Sequence, residues 1–103
     1  MDHSAAVKKY APSADDKVIA AIVKHLGIAL RNRDSSLVSC SDSSELATVR
    51  EKWCKKKLGL TDDAAADAAI KAVCETMKGD HDKSRVAFYY LVADKLGKLS
   101  MFG

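Results

Sequence analysis

Cys40 is the residue of this chain best placed to act as a nucleophile, because it stands just before an expected helix start, where the helix dipole lowers a thiol pKa. A catalytic thiol also needs a base, and His3, His25 and His81 stand in no Cys–His signature. Cys40 therefore reads as a packing residue, as do Cys54 and Cys74. An odd number of cysteines, at spacings of neither a disulfide framework nor a zinc knuckle, points to unpaired thiols in a reducing compartment. The turn residues Asp80, His81 and Asp82 bring three ligand types together, but adjacent residues rarely converge on one ion, so they read as a cap and a polar turn. No catalytic residue, metal or cofactor is assigned, and a non-enzymatic protein is expected.

Two clusters could hold an anion. In the first, Ser39, Ser41 and Asp42 precede a helix start, and Arg31 and Arg33 lie nearby in sequence. Helix N-terminal amides with arginines make an anion site. This loop lacks the glycines of a phosphate-binding loop, and serines and aspartates at a helix start more often cap it. The second cluster is Arg50, Lys52, Lys55, Lys56 and Lys57. Such charge can displace counterions from nucleic-acid phosphates. No recognition helix or aromatic RNA-binding signature accompanies it, and Glu51 stands four residues before Lys55 in ion-pair register. A solvated helix face is the plain reading, with weak nucleic-acid or anion binding through Arg31, Arg33, Arg50, Lys52, Lys55 and Lys56 as the alternative.

These residues sit in a chain of 103 with 48% hydrophobic, 30% charged and 6% aromatic content and a formal net charge of +3. That composition describes one globular domain, 1–103, and neither a disordered nor a fibrous chain. The longest apolar runs, Val18–Val23 and Val86–Ala93, fall far short of the roughly 20 residues of a bilayer span, and no secretory signal is evident. The expectation is a cytoplasmic protein with no membrane role.

One Pro and five Gly in a background of Ala, Leu, Lys and Asp make helical composition. A short leader, Ser4 to Tyr10, should stop before Pro12. Ser13 should cap a second helix with the stripe Val18, Ile19, Ile22, Leu26, Ala29 and Leu30, running through Gly27 to about Arg31–Arg33. After a serine-rich loop that Leu37 and Val38 plug onto the core, Asp42 and Glu45 form a capping box for a third helix. Its stripe is Leu46, Val49 and Trp53, and Gly59 ends it. Thr61 should cap a fourth helix with the stripe Ala66, Ala69, Ile70, Val73 and Met77, ending at Gly79. The last helix, from about Asp80–Asp82 to Gly97, is apolar over most of its circumference through VAFYYLVA. A helix apolar nearly all round is a central one. The expected fold is all-α: a small compact bundle of four main helices and a short N-terminal helix, with the C-terminal helix at its centre.

Three outer helices need not cover every side of that central helix. Phe88, Tyr90 and Leu91 are accordingly expected to present a protein interface, with Leu91 on a narrow polar side beside Asp94, Ala87 and Lys98. The partner would be another protein or a second copy of the chain.

The stretch HLGIALRNRDSSLVSCSDSSELATVREKW from His25 to Trp53, the following KKKLGL, and FYYLVADKLGKL near the C-terminus together resemble a small uncharacterised bacterial family of the DUF2853 type. The resemblance runs from about Val7 to Leu99 and implies a compact bacterial helical protein. It implies no activity and no catalytic residue. The function expected is a non-enzymatic interaction or homo-oligomeric structural module.

Overall fold

Five α-helices, one π-helical segment and a two-stranded ladder make up the described part of the chain. The computed structural model describes residues 3–27, 37–79 and 83–99. The leader is α1, His3–Tyr10, and it ends ahead of Pro12 as the proline requires. Helix α2 spans Asp16–Leu26, and its N-cap is Asp15 rather than Ser13: the Asp15 carboxylate accepts from Lys17 N–H at 2.8 Å. Gly27 does not lie within a longer helix. It takes φ +34°, its N–H bonds back to Val23 O, and it closes α2. The apolar stripe that continues beyond it in sequence, Ala29 and Leu30, lies outside the described residues.

Strand β1, Leu37–Val38, pairs antiparallel with β2, Lys83–Ser84, with Leu37 opposite Ser84 and Val38 opposite Lys83. Val38 is buried, so this short ladder does plug the serine-rich loop onto the core. Helix α3, Ser43–Thr48, starts at Asp42, whose carboxylate accepts from Ser44 N–H at 3.0 Å and Glu45 N–H at 3.3 Å. It runs into a π-helical segment, Val49–Lys57. The reason is visible in the apolar positions. Val49, Trp53, Cys54 and Leu58 are all buried, and they recur at intervals of four and five. An α-helix would set Val49 and Leu58 on opposite sides, whereas the wider i→i+5 turn brings all four onto one face. Leu58 N–H bonds to Trp53 O at 2.9 Å, and Gly59 follows at φ +72°.

Helix α4, Asp63–Thr76, is capped by Asp62 through Ala65 N–H at 3.2 Å, one residue past the expected Thr61. Its stripe Ala66, Ala69, Ile70, Val73 and Met77 is buried as the spacing predicts. Helix α5, Arg85–Lys95, is capped by Ser84 and begins after β2.

Helix α5 is the centre of the bundle. It packs against α1, α2, α4 and the π-segment, and every residue from Arg85 to Ala93 is buried. The expectation of exposed faces on this helix is therefore corrected: Phe88, Tyr90 and Leu91 are 0%, 6% and 8% exposed within a single chain. The leader α1 packs directly on α5 and supplies a fourth wall beside those of the outer helices.

One polar network lies in this core. Arg85 Nη2 lies 2.6 Å from Glu45 Oε1 and donates to Leu37 O at 3.1 Å, while Nη1 donates to Tyr89 Oη at 3.1 Å. Glu45 thus faces α5 instead of closing its own capping box, and a single guanidinium ties β1, α3 and α5 together.

A basic depression on the π-helical segment

The winding that gathers the apolar residues of Val49–Lys57 also sorts its cations. Arg50 and Lys55, five apart, point toward α4, where acids meet them. Arg50 Nη1 contacts both carboxylate oxygens of Asp67 at 3.2 and 3.3 Å, and Nη2 lies 3.4 Å from Glu51 Oε1. Lys55 Nζ lies 3.1 Å from Asp63 and 3.3 Å from Glu51, the latter in the expected i,i+4 register. These hydrogen bonds raise both pKa values above their ordinary range. Arg50 and Lys55 are therefore committed to structure.

Lys52, Lys56 and Lys57 recur at the same four- and five-residue intervals on another face. With His25, from the last turn of α2, they line a depression of about 490 Å³. Lys52 and Lys56 form no ion pair among the described residues. The His25 ring lies against the buried Trp53 ring, centroids 5.2 Å apart at 44°. Partial burial, and then the adjacent Lys57 ammonium, hold the His25 imidazole below its ordinary pKa. The depression thus holds three ammonium groups and an imidazole, and no acidic side chain among the described residues lines it. Of the cations singled out in sequence, Lys52 and Lys56 are brought together here, Arg50 and Lys55 are not, and Arg31 and Arg33 lie outside the described residues. Lys57, part of the same basic cluster in sequence, joins them, and His25 from α2 completes the group. The grouping of Lys57 with Lys52 follows the π-type interval, which an α-helical projection discards, and His25 carries no signal in the sequence because only the fold brings α2 beside this segment.

The serine-rich alternative closes differently. Asp42 fills the α3 N-terminus with its own carboxylate, held below the usual carboxylate range first by the Ser44 hydroxyl at 2.7 Å and then by the Glu45 and Ser44 amides. The plain reading of this segment as a cap is the one observed. Ser39 and Ser41 bond each other at 3.1 Å.

A family model described as "Protein of unknown function (DUF2853)" matches residues 2–100. The chain belongs to this family. No curated protein matches it in sequence.

The cysteines require a further correction. Cys40 and Cys74 form a disulfide, with Cα atoms 5.9 Å apart across a sequence separation of 34. Neither is an unpaired packing residue, and with two of the three thiols bonded the cysteines do not point to a reducing compartment. Spacing cannot reveal such a pair, because the turn after β1 meets α4 only in the folded chain. The third, Cys54, is fully buried beside Trp53, and burial pushes its thiol up to about 11, so it is inert as a nucleophile. Asp80, His81 and Asp82 lie outside the described residues. Among the described residues no group of three His, Cys, Asp or Glu is arranged to hold a metal, and no helix is long and apolar enough to cross a membrane.

Proposed function

We propose that this protein is a non-enzymatic binding module that holds a compact, multiply charged anion of the phosphate-ester class in the basic depression. The observation that carries the reading is the lining itself: His25, Lys52, Lys56 and Lys57 converge from two helices with no acid among the described residues there, and Lys52 and Lys56 form no ion pair among those residues. Lys52 and Lys56, side by side without a counter-charge among the described residues, repel each other in the free protein and are drawn to an anion that enters. A self-association surface of Phe88, Tyr90 and Leu91 has lost its support, since those side chains are covered by the chain's own helices. A nucleic-acid backbone is a poorer fit than a compact anion. The cations that would extend the stripe, Arg50 and Lys55, are occupied by Asp67, Asp63 and Glu51, whose carboxylates would face the strand. The proposal retains a bacterial cytoplasmic setting, with the Cys40–Cys74 bond then bathed by a reducing thiol pool.

Titration calorimetry with pyrophosphate, inorganic phosphate and a random DNA duplex at low salt tests the reading. Pyrophosphate is expected to bind most tightly. Lys52→Glu with Lys56→Glu should weaken it at least tenfold with helicity intact, while Arg50→Gln leaves affinity unchanged. DNA binding should be weak and vanish by physiological salt. Absence of millimolar pyrophosphate binding, or sequence-dependent DNA binding abolished by the lysine changes, would overturn it.

A further inference from the structure

On α4, away from the basic depression, a groove of about 540 Å³ is bordered by both halves of the disulfide, Cys40 and Cys74. Its volume is within the roughly 300–1,000 Å³ typical of small-molecule sites. Leu46 and Ile70 contribute apolar surface, and among the described residues Lys71, Lys78 and Lys83 stand along it with the acids Asp67 and Glu75, of which Asp67 is held by Arg50 and Glu75 lies 3.8 Å from Lys78. Both cysteines are only half-buried, unlike Cys54, so the bond is open to the groove while the remaining thiol is sealed in the core. A disulfide at the wall of a cavity is accessible to thiolate attack in the folded state, and access is one of the conditions that set exchange rates.

We propose that this groove is a thiol–disulfide exchange site for a low-molecular-weight thiol bearing carboxylates, of glutathione size and charge. The lysines would draw the carboxylates in and favour the incoming thiolate. In the first step that thiolate bonds to one cysteine sulfur. The Cys40–Cys74 bond breaks, and the displaced cysteine leaves as a thiolate that takes a proton from water. In the second step another thiol attacks the mixed disulfide at the sulfur of the bound small molecule. It releases the oxidised small disulfide and the second cysteine thiol. Two electrons pass from two small thiols to the protein bond, and both cysteines end protonated. The consequence is local: Cys40 sits in the turn between β1 and the Asp42 cap of α3, so opening the bond frees that turn from α4.

The site stands independently of the anion-binding reading, and its test has a separate readout. The oxidised protein is incubated at native pH with reduced glutathione or with the uncharged 2-mercaptoethanol, quenched in acid, alkylated and mapped by mass spectrometry, with circular dichroism recorded in parallel. Expected is a mixed disulfide at Cys40 or Cys74, with Cys54 unmodified and helicity retained. Lys71→Glu with Lys78→Glu should slow exchange with glutathione several-fold relative to 2-mercaptoethanol. Reaction only in step with global unfolding, or modification of Cys54 at the same rate, overturns the proposal. So does exchange with the two thiols that is equally indifferent to reversing the lysines.

Discussion

Glu45 and Arg85 form an ion pair at 2.6 Å across the junction of α3 and α5, their side chains 23% and 10% exposed. The glutamate occupies a position that in sequence suits a capping box, yet the structure uses it to neutralise the charge at the head of the central helix. Breaking a largely buried pair leaves one charge without its counter-charge, which costs far more than the intact pair contributes.

Glu45→Ala should therefore destabilise the protein by about 3 kcal/mol in denaturant unfolding, because Arg85 keeps its charge in the core. The double change Glu45→Leu with Arg85→Met should recover much of that loss. A double variant no more stable than Glu45→Ala would show that the hydrogen bonds to Leu37 O and Tyr89 Oη, rather than charge pairing, dominate.

Leu91→Asp should unfold the chain, as should Val92→Asp. By helical position Leu91 falls at a solvated edge beside Asp94, but it is 8% exposed and Val92 is fully buried. An uncompensated carboxylate in either position has no partner. Circular dichroism and light scattering check this; a folded Leu91→Asp monomer would restore an open face on α5.

Reductant should lower stability, whereas chelators should leave it unchanged. Closing a loop of 34 residues stabilises by roughly 4 kcal/mol in the chain-entropy picture. Denaturant midpoints with and without dithiothreitol, compared with those of Cys40→Ser and of Cys74→Ser, measure it. A reductant effect that persists in the serine variants would assign the loss elsewhere.

Anion binding should strengthen as pH falls. His25 has a folded-state pKa below its ordinary 6.5, so at neutral pH it is uncharged. An anion among Lys52, Lys56 and Lys57 favours the imidazolium, so binding takes up a proton, and affinity rises as pH drops through the lowered pKa. Without ligand the sign reverses. The unfolded chain binds the proton more readily, so the stability His25 contributes is full above about 6.5 and declines below it. His25→Gln should flatten the pH profile of pyrophosphate affinity while leaving binding at neutral pH nearly unchanged.

The sequence by itself determined the helical class, the stripe of α4, the Asp42 cap and the central place of α5, because each follows from local chemistry. A carboxylate beside orphan amides, a recurrence of three and four, and an apolar arc wider than one face act within a few residues. The stripe that continues past Gly27 argues for a helix running through it, and this expectation is wrong: at φ +34° Gly27 is the C-cap, a conformation that its missing Cβ permits. Tertiary structure decided the rest. The Cys40–Cys74 bond joins segments that only the folded chain brings together, and α5 is buried from Arg85 to Ala93, Leu91 included, in a bundle where α1 packs on it as well as α2, α4 and the π-segment. The basic depression depends on a π-helical winding that collects Val49, Trp53, Cys54 and Leu58 inward and turns Lys52, Lys56 and Lys57 outward toward His25. That choice of helix rests on whether the core can accept those side chains, and neighbouring elements answer it.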